Sequence, residues 1–354
     1  MNRGSGEIYF IQEMPFMSET FPTLVKIGRV EDKGKDKSSY ARLKKLQTGN
    51  SRRFHLSDDK IVRTHLVEKV EKQMHGRYAR KRVLLEWFEV ESKNSLSPMI
   101  ATATELATEM KDRVLIEDQV DALNKLSDTD LVTPFTQKAN DVATELCIED
   151  KKILEINRIE KIILGKLRSA FDLEIDVRDA LTIKEKKGKF RLDKKCLNSD
   201  HPDLYENYQD QVERLTTTFN YTKFRNSVSI EQAHDYEDFI STIKEIENSV
   251  EQLVGNEDAY SLNRQVLELT EIKAHLEWSQ YRLKQQLQIE CGENLGIEGI
   301  CTWSRRTGIK KEFNEDAFEE SNKELFQQYQ VENPPSISLT RWQIRPSAPT
   351  LVAM

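Results

Sequence analysis

The apolar positions change their period along the chain, and each change marks an element. In "EIYFI" and "TLVKIGRV" they form short strand-like runs separated by "QEMPFMSETFP", which predicts two strands joined by a long proline-containing connection. "SSYARLKKLQTGN" opens on a serine suited to capping a helix, places Leu43 and Leu46 at helical spacing, and reaches the stop signal Gly49-Asn50. "RFHL" reads as a short third strand. Val62, Leu66, Val70 and Met74 then recur at every fourth residue, which predicts a helix over about 60–79, and "LLEWFEV" reads as the strand closing a small α+β unit.

Beyond "ESKNSLSP" the pattern becomes helical over long stretches, from about 98 to 125, from about 134 to 170, and as a pair over about 229 to 290. An internal repeat lies between and after them. When Leu192 is set over Phe313, Leu204 falls on Leu325, Tyr205 on Phe326, Tyr208 on Tyr329 and Gln209 on Gln330 without a gap. The predicted organisation is an α+β domain at 1–92, a helical linker at 93–152, a first helix–hairpin–helix–strand module at 153–225, a connecting helix at 226–267, a second module at 268–345 and a tail at 346–354.

Charge separates these parts further. The net charge is −7 over 354 residues, but residues 1–92 hold 19 Lys and Arg against 13 Asp and Glu. A basic first quarter on an acidic body suits a domain that meets a phosphate backbone beside regions with another task. No run of about eighteen apolar residues is present, and the start "MNRGSGEIYFIQEM" lacks the layout of a signal peptide, so a cytoplasmic protein without membrane partners is expected. The cysteines, Cys147, Cys196, Cys291 and Cys301, are scattered without a C-x-x-C pair, which favours free thiols over a disulfide framework or zinc.

On the predicted helix, Glu68, Glu71, His75 and Tyr78 fall along one edge of the buried stripe. A carboxylate at such a boundary is partly desolvated yet able to reach a divalent cation, as a phosphodiesterase site requires; an ordinary helix rim with local ion pairs gives the same pattern. Trp87 and Phe88 read as core anchors of the last strand. The spacing of His55, His65 and His75 fits no metal-ligand pattern.

The series Glu7-Ile8-Tyr9, Lys26-Ile27-Gly28, Arg42-Leu43 through Gln47-Thr48-Gly49-Asn50, Glu71 with His75, and Glu86-Trp87-Phe88 resembles, in order, the motifs of the GIY-YIG endonuclease superfamily in its phage-associated branch, also known from meiotically up-regulated gene products. The resemblance implies a metal-dependent DNA endonuclease using Mg²⁺ or Mn²⁺. It places Tyr9 at the scissile phosphate, Lys26 where better-known members have a second tyrosine, Arg42 as the phosphate-steadying arginine and Glu71 as the metal ligand. His75 completes the candidate catalytic set. The family's late asparagine has no counterpart near "LLEWFEV", leaving Glu86 or His75 in its place. Arg52, Arg53, Arg77, Arg80, Lys81 and Arg82 are the candidate DNA-binding residues.

The C-terminal modules resemble the tail of YqaJ-type phage exonucleases, which implies an accessory role in holding DNA, a partner protein or a second copy of the chain through residues 93–345. No D…E-x-K nuclease core precedes them. The function expected is DNA cleavage in a phage or anti-phage defence setting; the alternatives are a DNA-binding or assembly protein without turnover, and a regulator whose acidic body binds another protein.

Overall fold

The computed structural model describes residues 4–341 apart from 15–23, 34–37, 49, 51, 91–92, 174, 176–180, 230–233 and 249–254. Strands β1 (Gly6–Met14) and β2 (Leu24–Glu31) pair antiparallel, with Tyr9 opposite Gly28. Ser38 caps helix α1 (Ser39–Gln47) by accepting the Ala41 amide at 3.2 Å, the role its hydroxyl predicts. The loop through Pro15 and Pro22 and the expected helix stop at Gly49 lie outside the described residues. Strand β3 (Arg53–His55) pairs with the far end of β1.

The helix expected over 60–79 is shorter than its apolar spacing predicts. Ile61–Thr64 forms strand β4 beside β1, with Val62 opposite Ile8, and helix α2 runs only over Val67–Arg77. Leu66, at φ 50, makes the turn between them. Ile61, Val62 and Thr64 are β-branched, and their alternation buries Val62 and Thr64 while exposing Arg63. The fourfold spacing is thus shared by a strand, a cap and a helix, and all four residues still enter one core.

"LLEWFEV" is likewise two strands, not one. β5 (Arg82–Leu84) and β6 (Trp87–Glu89) fold back on each other through Leu85 and Glu86. Leu85 sits at φ 52 and is 75% exposed, so an apolar residue occupies a turn where glycine or asparagine would have signalled one. The sheet order is β3-β1-β2-β6-β5, with β4 on the same side of β1 as β3.

The body begins with α3 (Lys93–Leu123), the short strand β7 (Val132–Thr133) and α4 (Gln137–Asp172). The first repeat copy adds β8 (Leu181–Lys186), β9 (Phe190–Leu192), α5 (Lys194–Asp200), α6 (Pro202–Asn207), β10 (Gln209–Asn220) and α7 (Thr222–Ser227). Helices α8 (His234–Asn248) and α9 (Asn256–Cys291) lead to β11 (Gly296–Ile297) and the second copy: β12 (Cys301–Phe313), α10 (Glu315–Ser321), α11 (Lys323–Gln328), β13 (Gln330–Glu332) and β14 (Ser336–Arg341). One apolar core joins sheet and body. Ile8, Phe10, Val25, Ile27 and Phe88 pack with Leu96, Met99 and Ala103 of α3 and with Trp278 of α9.

The repeat copies pair with each other rather than internally. Gln209 lies opposite Phe313 and Gln330 opposite Leu192; Leu215 lies opposite Thr307 and Ser336 opposite Lys186. Each of these pairs maps onto its fellow under the same ungapped alignment, which is the reciprocity of an isologous two-fold contact made within one chain. The hairpin expected in each copy is therefore built from one strand of each. Backbone bonds repeat the relation: Asp193 N donates to Tyr329 O and Asn314 N to Tyr208 O, both at 2.8 Å. Leu192, Leu197, Tyr208, Phe313, Phe318 and Tyr329, three from each copy, meet in one shared core.

Candidate active site

The candidate catalytic residues converge where the sheet runs out on one edge of β2. Strand β6 covers that edge only from Leu24 to Lys26, opposite Glu89 to Trp87. Its turn then crosses over, so that Ile27 N donates to Glu86 O at 3.0 Å. His75 reaches from α2 to cover the carbonyl of the same residue, its Nε2 donating to Ile27 O at 3.0 Å. Side chains from both faces of the sheet can meet only at such an exposed edge.

Tyr9 comes from the α1 face and is buried. Its ring lies across Gly28, and a Cβ on residue 28 would stand 2.6 Å from Tyr9 Cζ, which only glycine avoids. Arg42 of α1 hydrogen-bonds the phenol, yet burial outweighs it and pushes the phenol pKa up to about 12. Tyr9 is a protonated donor at neutral pH.

Glu71 and His75 come from the α2 face, with Glu68, and line a cleft of about 490 Å³ between α2 and the body. Arg29 of β2 grips Glu71 at 2.7 Å and lies 3.4 Å from Glu31 and 3.6 Å from Glu68. Burial nevertheless raises the Glu71 pKa, helped by the charge of Glu86 and opposed by Arg29 and Lys26. Among the described residues no group of three or more His, Cys, Asp or Glu is placed to hold a metal ion. Glu71, a desolvated carboxylate raised by a second one, fits a single protein ligand whose remaining coordination comes from solvent and phosphate.

Glu86 is the electrostatic hub. Lys26, with 7% of its side chain exposed, forms an ion pair with it, and Glu86 also acts on Tyr9, Glu71, His75 and Arg42. Although burial opposes ionisation, the Lys26 bond and charge hold the Glu86 carboxyl below the usual range. Burial lowers the His75 pKa as well, and Arg82 and Lys26 add to that. Because a carbonyl oxygen only accepts, Nε2 carries the proton of the neutral ring and Nδ1 keeps its lone pair.

The remaining predicted residues separate from this cluster. Tyr78 turns to α3, hydrogen-bonding Pro98 O and Thr102 Oγ1. Arg77 is half-buried beside Gln73 and within the field of Glu109. Arg80 is committed to the body, where it pairs with Glu271 and lies 3.8 Å from Glu268. Arg82 lines the cleft and donates to His75 O at 2.8 Å. Lys81 follows Arg80 in the short turn before β5. Arg52, paired with Glu13, and Arg53 are exposed on the opposite side of the sheet, at β3. Phe88 is buried in the core, and Trp87 packs 5.4 Å from Phe54.

Arg29 was not among the predicted residues, nor were Lys273, Glu160 and Glu277, which the body contributes to the cleft. One signal for Arg29 was present: it continues the buried Val25-Ile27 face of β2, where an arginine needs a partner. Measured from Glu71, Glu160 lies 89 positions away and Lys273 and Glu277 lie 202 and 206 positions away, and nothing local marks them.

Residues 6–104 match the T5orf172 domain, a domain found in phage-associated GIY-YIG-like endonucleases. The match runs past residue 92 to the part of α3 whose Leu96, Met99 and Ala103 complete the core. No curated protein and no solved structure matches the chain, and no family match supports the resemblance of the C-terminal modules to YqaJ-type tails. The N-terminal domain is thus nuclease-associated, on an α+β chain in which no helix among the described residues is long and apolar enough to cross a membrane.

Proposed function

We propose that the chain is a divalent-metal-dependent endonuclease hydrolysing phosphodiester bonds in DNA, in a phage or anti-phage defence setting. The observation that carries this reading is the meeting of Tyr9, Lys26, Arg42, Glu71 and His75 around Glu86 at the open edge of β2.

Each side chain has a task its environment suits. Arg42 and Lys26 are cations for the phosphate, with Lys26 held in place by its ion pair with Glu86. The Tyr9 phenol keeps its proton and donates to a phosphate oxygen. His75, neutral with Nδ1 free, accepts a proton from the attacking water. Glu71 would hold Mg²⁺ or Mn²⁺, which when bound offsets charge building up on the phosphate. Lys81 and Arg82 provide contacts to the flanking backbone, whereas Arg77 and Arg80 serve the junction with the body and Arg52 and Arg53 lie apart at β3.

A DNA-binding protein without turnover is the second reading. It is favoured by the two completed ion pairs, Lys26 with Glu86 and Arg29 with Glu71, which already satisfy both key charges. Plasmid nicking by the purified chain across Mg²⁺, Mn²⁺ and EDTA separates the two. The expected result is metal-dependent nicking, lost by about a hundredfold or more in Glu71→Ala with DNA affinity retained. Binding without any cleavage in either metal sinks the endonuclease reading.

A further inference from the structure

The two repeat copies keep the same core but differ in surface charge. Core positions match in kind, as in Leu197 with Phe318 and Tyr208 with Tyr329. Outside the core Arg191 aligns with Glu312, Lys194 with Glu315 and Lys195 with Asp316. Part of this reversal serves the fold, since Lys194 pairs with Glu315 at 2.9 Å and Glu312 with Arg214 at 2.8 Å; the remaining bases of residues 184–195 have no such use among the described residues. Residues 184–195 hold seven bases against two acids, whereas the aligned 305–316 hold four against three. Of the two acids in the first copy, Asp193 is committed to capping α5, accepting from Lys195 N and Cys196 N at 3.1 Å.

Within this basic stretch Lys186, Lys187, Lys189, Arg191 and Lys195 are exposed. The four lysines make no ion pair with another described residue. Phe190 follows Lys189 in the sequence and is 65% exposed, and its counterpart in the second copy is Lys311. Exposed cations flanking an exposed aromatic ring along the chain, where β8 ends and β9 begins, supply the two elements of single-strand recognition, backbone neutralisation and base stacking, with Glu332 opposite Phe190 the acid on the facing strand.

We propose that the exposed segment carrying Lys186, Lys187, Lys189, Phe190, Arg191 and Lys195 is a second DNA-contact surface, which holds an unpaired strand apart from the candidate cleavage site. The choice of DNA rests on the endonuclease reading above; the surface itself rests on charge and exposure.

The test is fluorescence anisotropy of the full chain with a labelled oligothymidylate and with its duplex, in EDTA, over a sodium chloride series. The combined variant Lys186→Gln/Lys187→Gln/Lys189→Gln/Arg191→Gln is expected to weaken single-strand binding by about tenfold or more and to flatten the salt slope by roughly two to three. Phe190→Ala is expected to weaken it by about five- to a hundredfold with the slope unchanged. The control Lys310→Gln/Lys311→Gln, on the second copy, is expected to bind as wild type. All the changed side chains are exposed, and thermal melts confirm that the variants fold. Unchanged affinity and slope in the combined variant overturn the proposal, as does a wild type that binds the duplex, or phosphatidylserine vesicles, more tightly than the single strand. A wild type that nicks plasmid while the combined variant binds unchanged sinks this surface alone. One that binds through this surface and never nicks sinks the endonuclease reading alone.

Discussion

The Tyr9 ring lies against the backbone of Gly28, its cross-strand partner, so closely that a Cβ there would stand 2.6 Å from Cζ. The glycine of "KIG" is therefore a spacing device for the phenol as much as a backbone choice. Gly28→Ala is expected to push Tyr9 away from Arg42 and to destabilise the domain by about 1–3 kcal/mol through overpacking. Urea unfolding measures the second effect. Nicking per folded molecule measures the first and is expected to fall by more than the unfolded fraction explains.

Lys26 and Glu86 form an ion pair in which the lysine is the buried partner. Glu86→Gln leaves that ammonium uncompensated and is expected to cost about 1–2 kcal/mol at neutral pH, less than a fully buried pair because 44% of the Glu86 side chain is exposed. The Glu86 pKa is lower in the folded state than in the unfolded chain, so its stabilisation is present above the unfolded carboxylate pKa and is lost as pH falls through the folded one. The gap between wild type and Glu86→Gln should close on that acid limb. The double variant Lys26→Met/Glu86→Gln should recover part of the loss, and a double-mutant cycle in urea tests this.

His75 is held below its ordinary value of 6.5 by burial. Its neutral form dominates at pH 7, and nicking is expected to fall only when pH drops below 6.5, through the depressed folded pKa. Stability moves the same way, because below the unfolded pKa the unfolded chain binds the extra proton. His75→Gln, which can still donate to Ile27 O but cannot take a proton, should keep the fold, lose most of the nicking and lose the acid-side dependence of what remains. A pH–rate profile of the two proteins checks it.

Gly76 brings α2 against α9. A Cβ at residue 76 would stand 2.5 Å from Ala274 Cβ, and the candidate cleft opens beside this contact. Gly76→Val is expected to destabilise the docked pair by about 1–3 kcal/mol, partly offset by better helix propensity, and Ala274→Gly should relieve it. Thermal melts of the single and double variants give the coupling.

Much of this was legible in the chain. β1, β2, α1 and β3 announced themselves through short apolar runs and a serine cap with helically spaced leucines, and the repeat was visible because its two copies align without a gap. β4 was hidden because Val62 satisfies both a strand alternation and a helical period of four, and periodicity alone cannot choose between them. The β5–β6 turn was hidden because Leu85 adopts a left-handed conformation without a glycine or asparagine to advertise it. At the site, the motif residues were readable one by one. The grip of Arg29 on Glu71 and the central position of Glu86 were not, since both depend on which strand ends beside which helix.

The reciprocal register of the two copies makes each the other's obligate template. β8, β9 and β10 all find their ladder partners in β14, β13 and β12, so a chain cut after α9 would retain three strands whose edges nothing covers. A chain ending before the first copy would lose α9 as well, and with it Trp278 of the core shared with the N-terminal sheet, so neither cut leaves the N-terminal domain its full packing.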